Sequence, residues 1–460
     1  MNWIMKCATM VVLAFSLNHT ASGTSVAPQK DPVDYVSPNI GGIGLLLTAT
    51  VPYVQYPHGM ARLAPITTPG ITDRYLADKI YGFPAGPAML MASVGQLSCN
   101  PESYASDFDH DFEVATPYYY EADLQSWGIK AEVAPSRQAA YYRFTFPADA
   151  HAHLALSMEK GSELTVVGDT AVQGSEKITG PIGEVSGNGE TREYFYAEFS
   201  KPFSAYRTWT GDELTQKSSQ SGSGIGFVTD TATHSGEQIE VRLGISYISA
   251  EQAHRNLERE IPKWTFEQVR LKARSVWNDT LSRLSITGGT ERQRTIFYTA
   301  LYRSEGRMTD ITEDGKYFSG YDHTVHQAQG HDFYIDDGLW DTYRSLHPLQ
   351  LLLDPARQQD MIESYVRMYE QSGWLPSFPS VAGEQAVMIG TMLRPSSSMR
   401  TAKAIVTSTW SRLTRPCGRA QRKRRCCRGA EAPLPVSTTS TLTKGSSRRL
   451  PKERAKPCPT

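Results

Sequence analysis

Gln238-Ile239-Glu240-Val241-Arg242-Leu243-Gly244-Ile245-Ser246-Tyr247 alternates polar and apolar residues from end to end. Successive side chains of an extended chain point to opposite faces, so this period of two predicts a strand with one face in a core and the other in water. Upstream, Ala140-Tyr141-Tyr142-Arg143-Phe144-Thr145-Phe146 alternates in the same way and stops at Pro147. His153–Met158, Glu163–Val167, Tyr194–Phe199 and Ile225–Val228 read as further strands, separated by Gly, Pro, Asn and Asp. Many short strands at this spacing predict an antiparallel β-sandwich over residues 31–248.

The period changes near residue 249. Ser249 with Gln252, and Thr265 with Gln268, each have the spacing of a helix-capping box. Phe266, Val269, Ala273, Val276, Trp277, Leu281 and Leu284 then recur at steps of mostly three and four, which predicts an amphipathic helix running to Gly288-Gly289. Residues 249–289 thus read as a helical linker. From 290 to 390 the chain is expected to stay mainly helical. The clearest helix there starts at Asp354 and Pro355, buries Met361, Ile362, Tyr365 and Tyr369, and stops at Gly373 with Pro376 beyond.

Length and composition set outer bounds. A chain of 460 residues has room for about two to four domains and a large core. Residues 1–25 have the form of a secretory signal: Lys6, an apolar run Cys7–Leu17, then small residues at Ala21-Ser22-Gly23. That run is too short to cross a hydrocarbon layer of ~30 Å, so no membrane span is expected. Between the signal and residue 390 there is one cysteine, Cys99, which excludes an intramolecular disulfide or a thiolate metal site there. Export without disulfides points to a periplasmic or secreted protein. Phosphate-binding glycine loops, serine elbows and paired-histidine zinc motifs are all missing from the sequence.

The densest polar and aromatic stretch is His331-Asp332-Phe333-Tyr334-Ile335-Asp336-Asp337-Gly338-Leu339-Trp340-Asp341-Thr342-Tyr343-Arg344. Carboxylates and Arg can grip vicinal hydroxyls, and an indole face can cover the apolar side of a sugar ring. The plainer alternative is a solvated loop whose Asp341 caps a helix. A third is a hard-cation site built from Asp332, Asp336 and Asp337, although these lack the spacing and the glycine of an EF-hand loop. A second candidate, Asp107-Phe108-Asp109-His110-Asp111-Phe112-Glu113 before Pro117-Tyr118-Tyr119-Tyr120, is either an acidic site or a charged turn leading into a strand. Tyr56-Pro57-His58-Gly59-Met60 reads as a Pro/Gly turn, and Gly373-Trp374-Leu375-Pro376 as a helix stop.

With these residues in view, residues 34–390 resemble glycoside hydrolase family 92, the exo-acting α-mannosidases. Gly338-Leu339-Trp340-Asp341-Thr342-Tyr343-Arg344-Ser345-Leu346-His347-Pro348-Leu349 is similar to the family's WDT-[FY]-R-S-x-H-P-L segment. Val33-Asp34-Tyr35-Val36-Ser37-Pro38-Asn39-Ile40-Gly41, His110 through Tyr120, Phe297-Tyr298-Thr299-Ala300-Leu301-Tyr302, Gly373–Pro376 and Met388-Ile389-Gly390 follow in the family's order. The resemblance implies an N-terminal sandwich, a linker, and the start of an (α/α)6 barrel. It further implies calcium-dependent, inverting removal of terminal mannose from N-glycans or mannans, with mannose-terminated glycans as partners. Trp340 and Asp341 match residues lining the terminal-mannose pocket. The family's acid and base lie in segments that this sequence lacks, so no catalytic residue and no Ca2+ ligand is assigned. Gly82-Phe83-Pro84-Ala85 stands where the family has G-F-S-H, which removes a histidine expected near the substrate.

Residues 391–460 differ from everything before them. They carry 17 of the 47 Lys+Arg but only Glu431 and Glu453 of the 48 Asp+Glu, and Trp410 is their one large aromatic. Such a segment is too poor in apolar groups to offset its ordering entropy and is expected to be a disordered basic tail, the product of a reading frame lost near residue 390. The 460-residue chain is then expected to lack hydrolytic activity. A rival reading is a non-catalytic carbohydrate-binding protein with a basic interaction tail built on Arg422-Lys423-Arg424-Arg425. No nucleic-acid partner is expected, because that tail has no interleaved aromatics for stacking on bases.

Overall fold

The computed structural model describes residues 30–43, 50–68, 74–178, 189–385 and 387. The signal-like segment, Met388-Ile389-Gly390 and the basic tail lie outside the described residues.

Two antiparallel sheets face one another. One has nine strands, with Glu237–Ser246 bonded between Arg192–Phe199 and Ala139–Phe146. The other has eight, centred on Asp149–Met158 between Ala88–Val94 and Ile225–Thr233. Inward residues of both sheets, among them Phe83, Leu90, Leu156 and Phe227 from one and Phe144, Phe195, Val241 and Leu243 from the other, join in one core. The alternation in the sequence is thus a two-sheet interior with the expected register, and the sandwich is as read.

One expectation about the strand Glu237–Ser246 changes. Its last four residues are buried on both faces, because a helix, α1 (Ala250–Glu260), folds back across the outer surface. Gly244 is what lets it approach: a Cβ there would lie 2.0 Å from the Ala253 carbonyl oxygen. A second helix, α2 (Phe266–Leu281), continues this layer, and Phe266 and Val269 join Leu257 and Ile261 against Tyr119, Tyr141 and Tyr196.

Helix α2 ends at Leu281 rather than at Gly288-Gly289. The chain turns there so that Leu284 and Ile286 pack on the cluster of Trp277, Tyr298 and Leu301. Into that cluster the opening segment Pro32–Tyr35 inserts Val33 and Tyr35, while Arg274 pairs with Asp31 and Asp34. A third helix, α3 (Glu291–Ser304), starts on a complete capping box at Thr290 and Gln293. The box read at Thr265 is absent, since the Thr265 hydroxyl turns back to the Lys263 carbonyl.

Residues 305–338 are not helical. They form the hairpin Lys316–Ser319 with Thr324–Gln327 and a short pair, Thr309–Asp310 with Tyr334–Ile335. Left-handed backbone at Asp314, Gly315, His323, Gln329 and Gly330 makes the turns, which a helix cannot accommodate. Helices resume with a single turn at Leu339–Thr342, then α4 (Leu346–Leu353) and α5 (Pro355–Ser372). Helix α5 follows its sequence signals closely. The Asp354 side chain accepts from the Arg357 N–H, and Gly373 closes the helix at φ 77°. No helix among the described residues is long and apolar enough to cross a membrane.

Candidate functional site

The WDT-like segment packs against the chain at Ser377-Phe378, next to α4 and α5. Leu339 is fully buried and its N–H donates to the Ser377 carbonyl at 3.1 Å, which roots the helical turn Leu339–Thr342. Trp340 and Asp341 then face outward: Trp340 is 48% exposed and Asp341 is exposed beside it. The Asp341 N–H donates to the Gly338 carbonyl at 2.8 Å. Gly338, not Asp341, is the residue that caps the turn, and no side chain caps it. A ring face and an exposed carboxylate, adjacent and open to solvent, are what holding a sugar requires. Next to them the Arg344 guanidinium stacks on the Tyr343 ring at 5.0 Å. Phe378 closes the other side, its ring 2.9 Å from where a Cβ on Gly338 would sit.

Beneath this surface lies a buried polar network. His347 Nε2 is 3.0 Å from Asp337 Oδ2, and the Tyr365 hydroxyl donates to the same oxygen at 2.6 Å. Burial alone would raise the Asp337 carboxyl, but donors from His347, Tyr365 and Thr342 outweigh it and hold the group below the usual carboxylate range. Burial and that neighbouring charge push the Tyr365 phenol well up, so it remains a donor.

A second network ties the sandwich to the helices. His58, read from sequence as part of an unremarkable turn, is buried and left-handed at φ 56°. Its N–H donates to the Glu305 carbonyl, its carbonyl accepts from the Asp310 N–H, its Nδ1 is 2.7 Å from the Met308 carbonyl and its Nε2 is 3.2 Å from Glu305 Oε2. Gln350 from α4 and Arg357 from α5 reach the same Glu305 carboxylate. Arg137 of the sandwich pairs with Asp310. Sequence reading missed His58 and Glu305. The only signal was a lone histidine in a Pro/Gly turn, and its partners are about 250 residues away.

The three aspartates weighed as a cation site diverge. Asp337 belongs to His347 and Tyr365, Asp336 pairs with Arg62 at 3.3 Å and Arg307 at 3.0 Å, and Asp332 lies 4.0 Å from Arg137. Among the described residues no three His, Cys, Asp or Glu side chains converge to hold a metal. These residues do not fit the calcium that the resemblance implies.

The second acidic candidate is structural. Glu113 is buried, accepting from Arg74 at 2.5 Å and from the Tyr120 hydroxyl at 2.7 Å, while His110 Nε2 meets the Ala77 carbonyl at 3.0 Å. Ala85, where a substrate-side histidine was expected, is wholly buried in the sandwich core. A sandwich joined to helices, with an exposed indole beside an exposed carboxylate on the helical part, has the surface chemistry of a carbohydrate-handling protein.

Comparison with known proteins identifies the family. Residues 35–246 match the glycosyl hydrolase family 92 N-terminal domain, and residues 252–411 match its catalytic domain. The chain belongs to glycosyl hydrolase family 92. The family match continues past residue 390, where the sequence reading ended it. Among solved structures, a family 92 inverting mannosidase of Bacteroides thetaiotaomicron is 29% identical with a TM-score of 0.73, covering 79% of this chain and 52% of its own. A family 92 α-mannosidase of the same organism, in complex with mannoimidazole, is 25% identical with a TM-score of 0.72, covering 78% and 51%. An uncharacterized secreted glycosidase of Arthroderma benhamiae is 27% identical over 248 residues, 48% of this chain and 32% of that protein. The chain spans about half the length of these solved relatives and a third of the curated one.

Proposed function

We propose that this chain is the N-terminal portion of a secreted α-mannosidase that acts on terminal α-mannosides of N-glycans or mannans with inversion, and that Trp340 and Asp341 receive the terminal mannose. One observation carries this reading: Trp340 and Asp341 stand side by side and open to solvent on a turn whose root is buried. The indole covers the apolar face of the ring while the Asp341 carboxylate accepts from two neighbouring hydroxyls, a charge-assisted contact about twice as strong as a neutral one.

Inversion by single displacement needs a carboxylic acid and a carboxylate base about 6.5–9.5 Å apart with water between them. We assign no such pair among the described residues, whose proposed part is to bind and orient the sugar. The chain as given is therefore expected to bind a terminal mannose without hydrolysing it. Calcium belongs to this proposal only as a property of the longer family members, and no step here runs through it. Secretion is supported by the form of residues 1–25 and by the secreted name of the curated relative. A mature N-terminus just after Ala21-Ser22-Gly23 is the expected result of sequencing the exported protein.

The test is titration of purified chain with methyl α-mannoside, followed by ligand-observed NMR, alongside an aryl α-mannoside assay. Binding that Trp340→Ala and Asp341→Asn each abolish, without release of aglycone, is the expected result. Binding that survives both substitutions overturns the site, and aglycone release overturns the claim of inactivity.

A further inference from the structure

The exposed turn Leu339–Thr342 is only four residues long, and an isolated turn of helix is unstable because nucleation fixes several dihedrals for a single hydrogen bond. Its own bonds are few: the Asp341 and Thr342 N–H groups and the Thr342 hydroxyl all share the Gly338 carbonyl, at 2.8, 3.1 and 3.1 Å, and the Tyr343 N–H donates to the Leu339 carbonyl at 3.2 Å. Something outside it must hold its shape, and the candidates can be named. Asp337 immediately precedes the turn and His347 follows it in the first turn of α4. The 3.0 Å contact between their side chains closes the segment into a loop. Tyr365, a full element away in α5, donates to the same Asp337 oxygen at 2.6 Å and lies 3.1 Å from His347 Nε2. All three side chains are buried.

The donor count is definite. Asp337 Oδ2, as a carboxylate, only accepts, so the Tyr365 O–H and the His347 Nε2–H both point at it. His347 Nδ1 is then left to Gln358 of α5, whose amide oxygen and nitrogen each lie 3.2 Å away, so that this side chain meets the ring nitrogen in either protonation state. Every polar position of the ring has a partner, and two of those partners come from α5. The ring is therefore fixed in plane. Through Asp337, so is the point at which the chain enters the turn.

We infer that Asp337, His347 and Tyr365 are positioning residues that hold the Trp340–Asp341 pair in the orientation that receives the sugar, an inference that rests on the mannose-binding reading of that pair. None of the three reaches the surface where the sugar would lie, so they act through the turn and not by contact. The network sits between α4, α5 and the turn, and of its three members only Tyr365 also packs into the apolar core that continues into the sandwich. Its loss loosens the turn without unfolding the rest.

The experiment uses the full chain with His347→Ala, His347→Gln and Tyr365→Phe. Gln retains an N–H at the reach of Nε2 and so keeps the bond to Asp337, whereas Ala deletes it. Tyr365→Phe removes one hydroxyl and nothing else, which guards against a variant that fails to fold. Two readouts are taken: affinity for methyl α-mannoside, and amide hydrogen exchange of residues 338–344.

We expect His347→Ala and Tyr365→Phe to weaken the mannoside by about tenfold, the scale set by small misplacements of binding groups, with His347→Gln returning to within about threefold of the parent. Exchange at 338–344 should accelerate in the same two variants and in the same order, while α5 and the sandwich stay protected. Unchanged affinity in a parent that binds through Trp340 overturns the positioning role and leaves the mannose reading standing. If the parent does not bind at all, the mannose reading fails and exchange decides: unchanged protection of 338–344, or acceleration spread evenly over α4 and α5, overturns positioning as well.

Discussion

Glu313 is fully buried, with Oε1 accepting from the Tyr247 N–H at 2.9 Å and Oε2 from Asn256 at 2.7 Å. Burial pushes its carboxyl up to about 7 against those donors, and burial pushes Glu193 to about 7 as well. In the unfolded chain a glutamate ionises near ~4.3. Between these values the folded state holds protons that the unfolded state has lost. Stability is then complete at acid pH and falls as pH rises, by about 1.4 kcal/mol per pH unit for each such group. Thermal denaturation followed by circular dichroism should show Tm dropping from pH 5 to pH 7, with a shallower fall in Glu193→Gln. A Tm that is flat or rises over that interval contradicts this. Asp337 has the opposite sign: its carboxyl is held low, so its contribution is present above the usual carboxylate range and is lost only as strong acid protonates it. No sequence pattern distinguishes these carboxylates from the many solvated ones, because burial and donors come from segments distant in the chain.

Helix caps offer a sharper comparison between elements. Thr290 accepts from the Gln293 N–H and its own N–H donates to the Gln293 side chain, so Thr290→Ala should cost about 1 kcal/mol in urea unfolding. Thr265 makes no such bond to its helix, and Thr265→Ala should change stability by less than about 0.5 kcal/mol. Equal losses would contradict the assignment of caps. The two sites look alike in sequence, since each is a Thr with Gln three residues on. What separates them is Phe266, whose burial against Tyr119 and Tyr141 sets how the chain enters α2. Helix α5, by contrast, was fully legible: Asp354, Pro355 and Gly373 act locally, each through its own backbone or its next turn. The misread segment 305–338 had apolar residues without a helical start, and its Asp-Gly and Gln-Gly turns were the signal that was passed over.

Across the whole molecule, the joint between sandwich and helices is polar where it is most buried. His58→Ala deletes two side-chain contacts, to Met308 and Glu305, and leaves the Glu305 carboxylate with Gln350 and Arg357 as its remaining side-chain partners. That change should cost about 2–4 kcal/mol and should appear as earlier unfolding of the helical part, because the buried Met308 carbonyl and Glu305 side chain each lose a polar partner. A single transition with unchanged midpoint would show that the joint does not depend on it. Addition of EDTA should leave Tm where it is, because among the described residues no three ligating side chains meet; a drop of several degrees would show a cation site that the described residues do not form. The sequence by itself determined the sandwich, the helix that closes at Gly373 and the family, because period, caps and motif order are local properties carried along the chain. Only the tertiary structure decided that Asp341 is exposed while Asp337 is spent, that His58 is a joint as well as a turn, and that the three aspartates take separate partners. Those outcomes depend on which distant donors reach each buried oxygen, and only the packed chain fixes that.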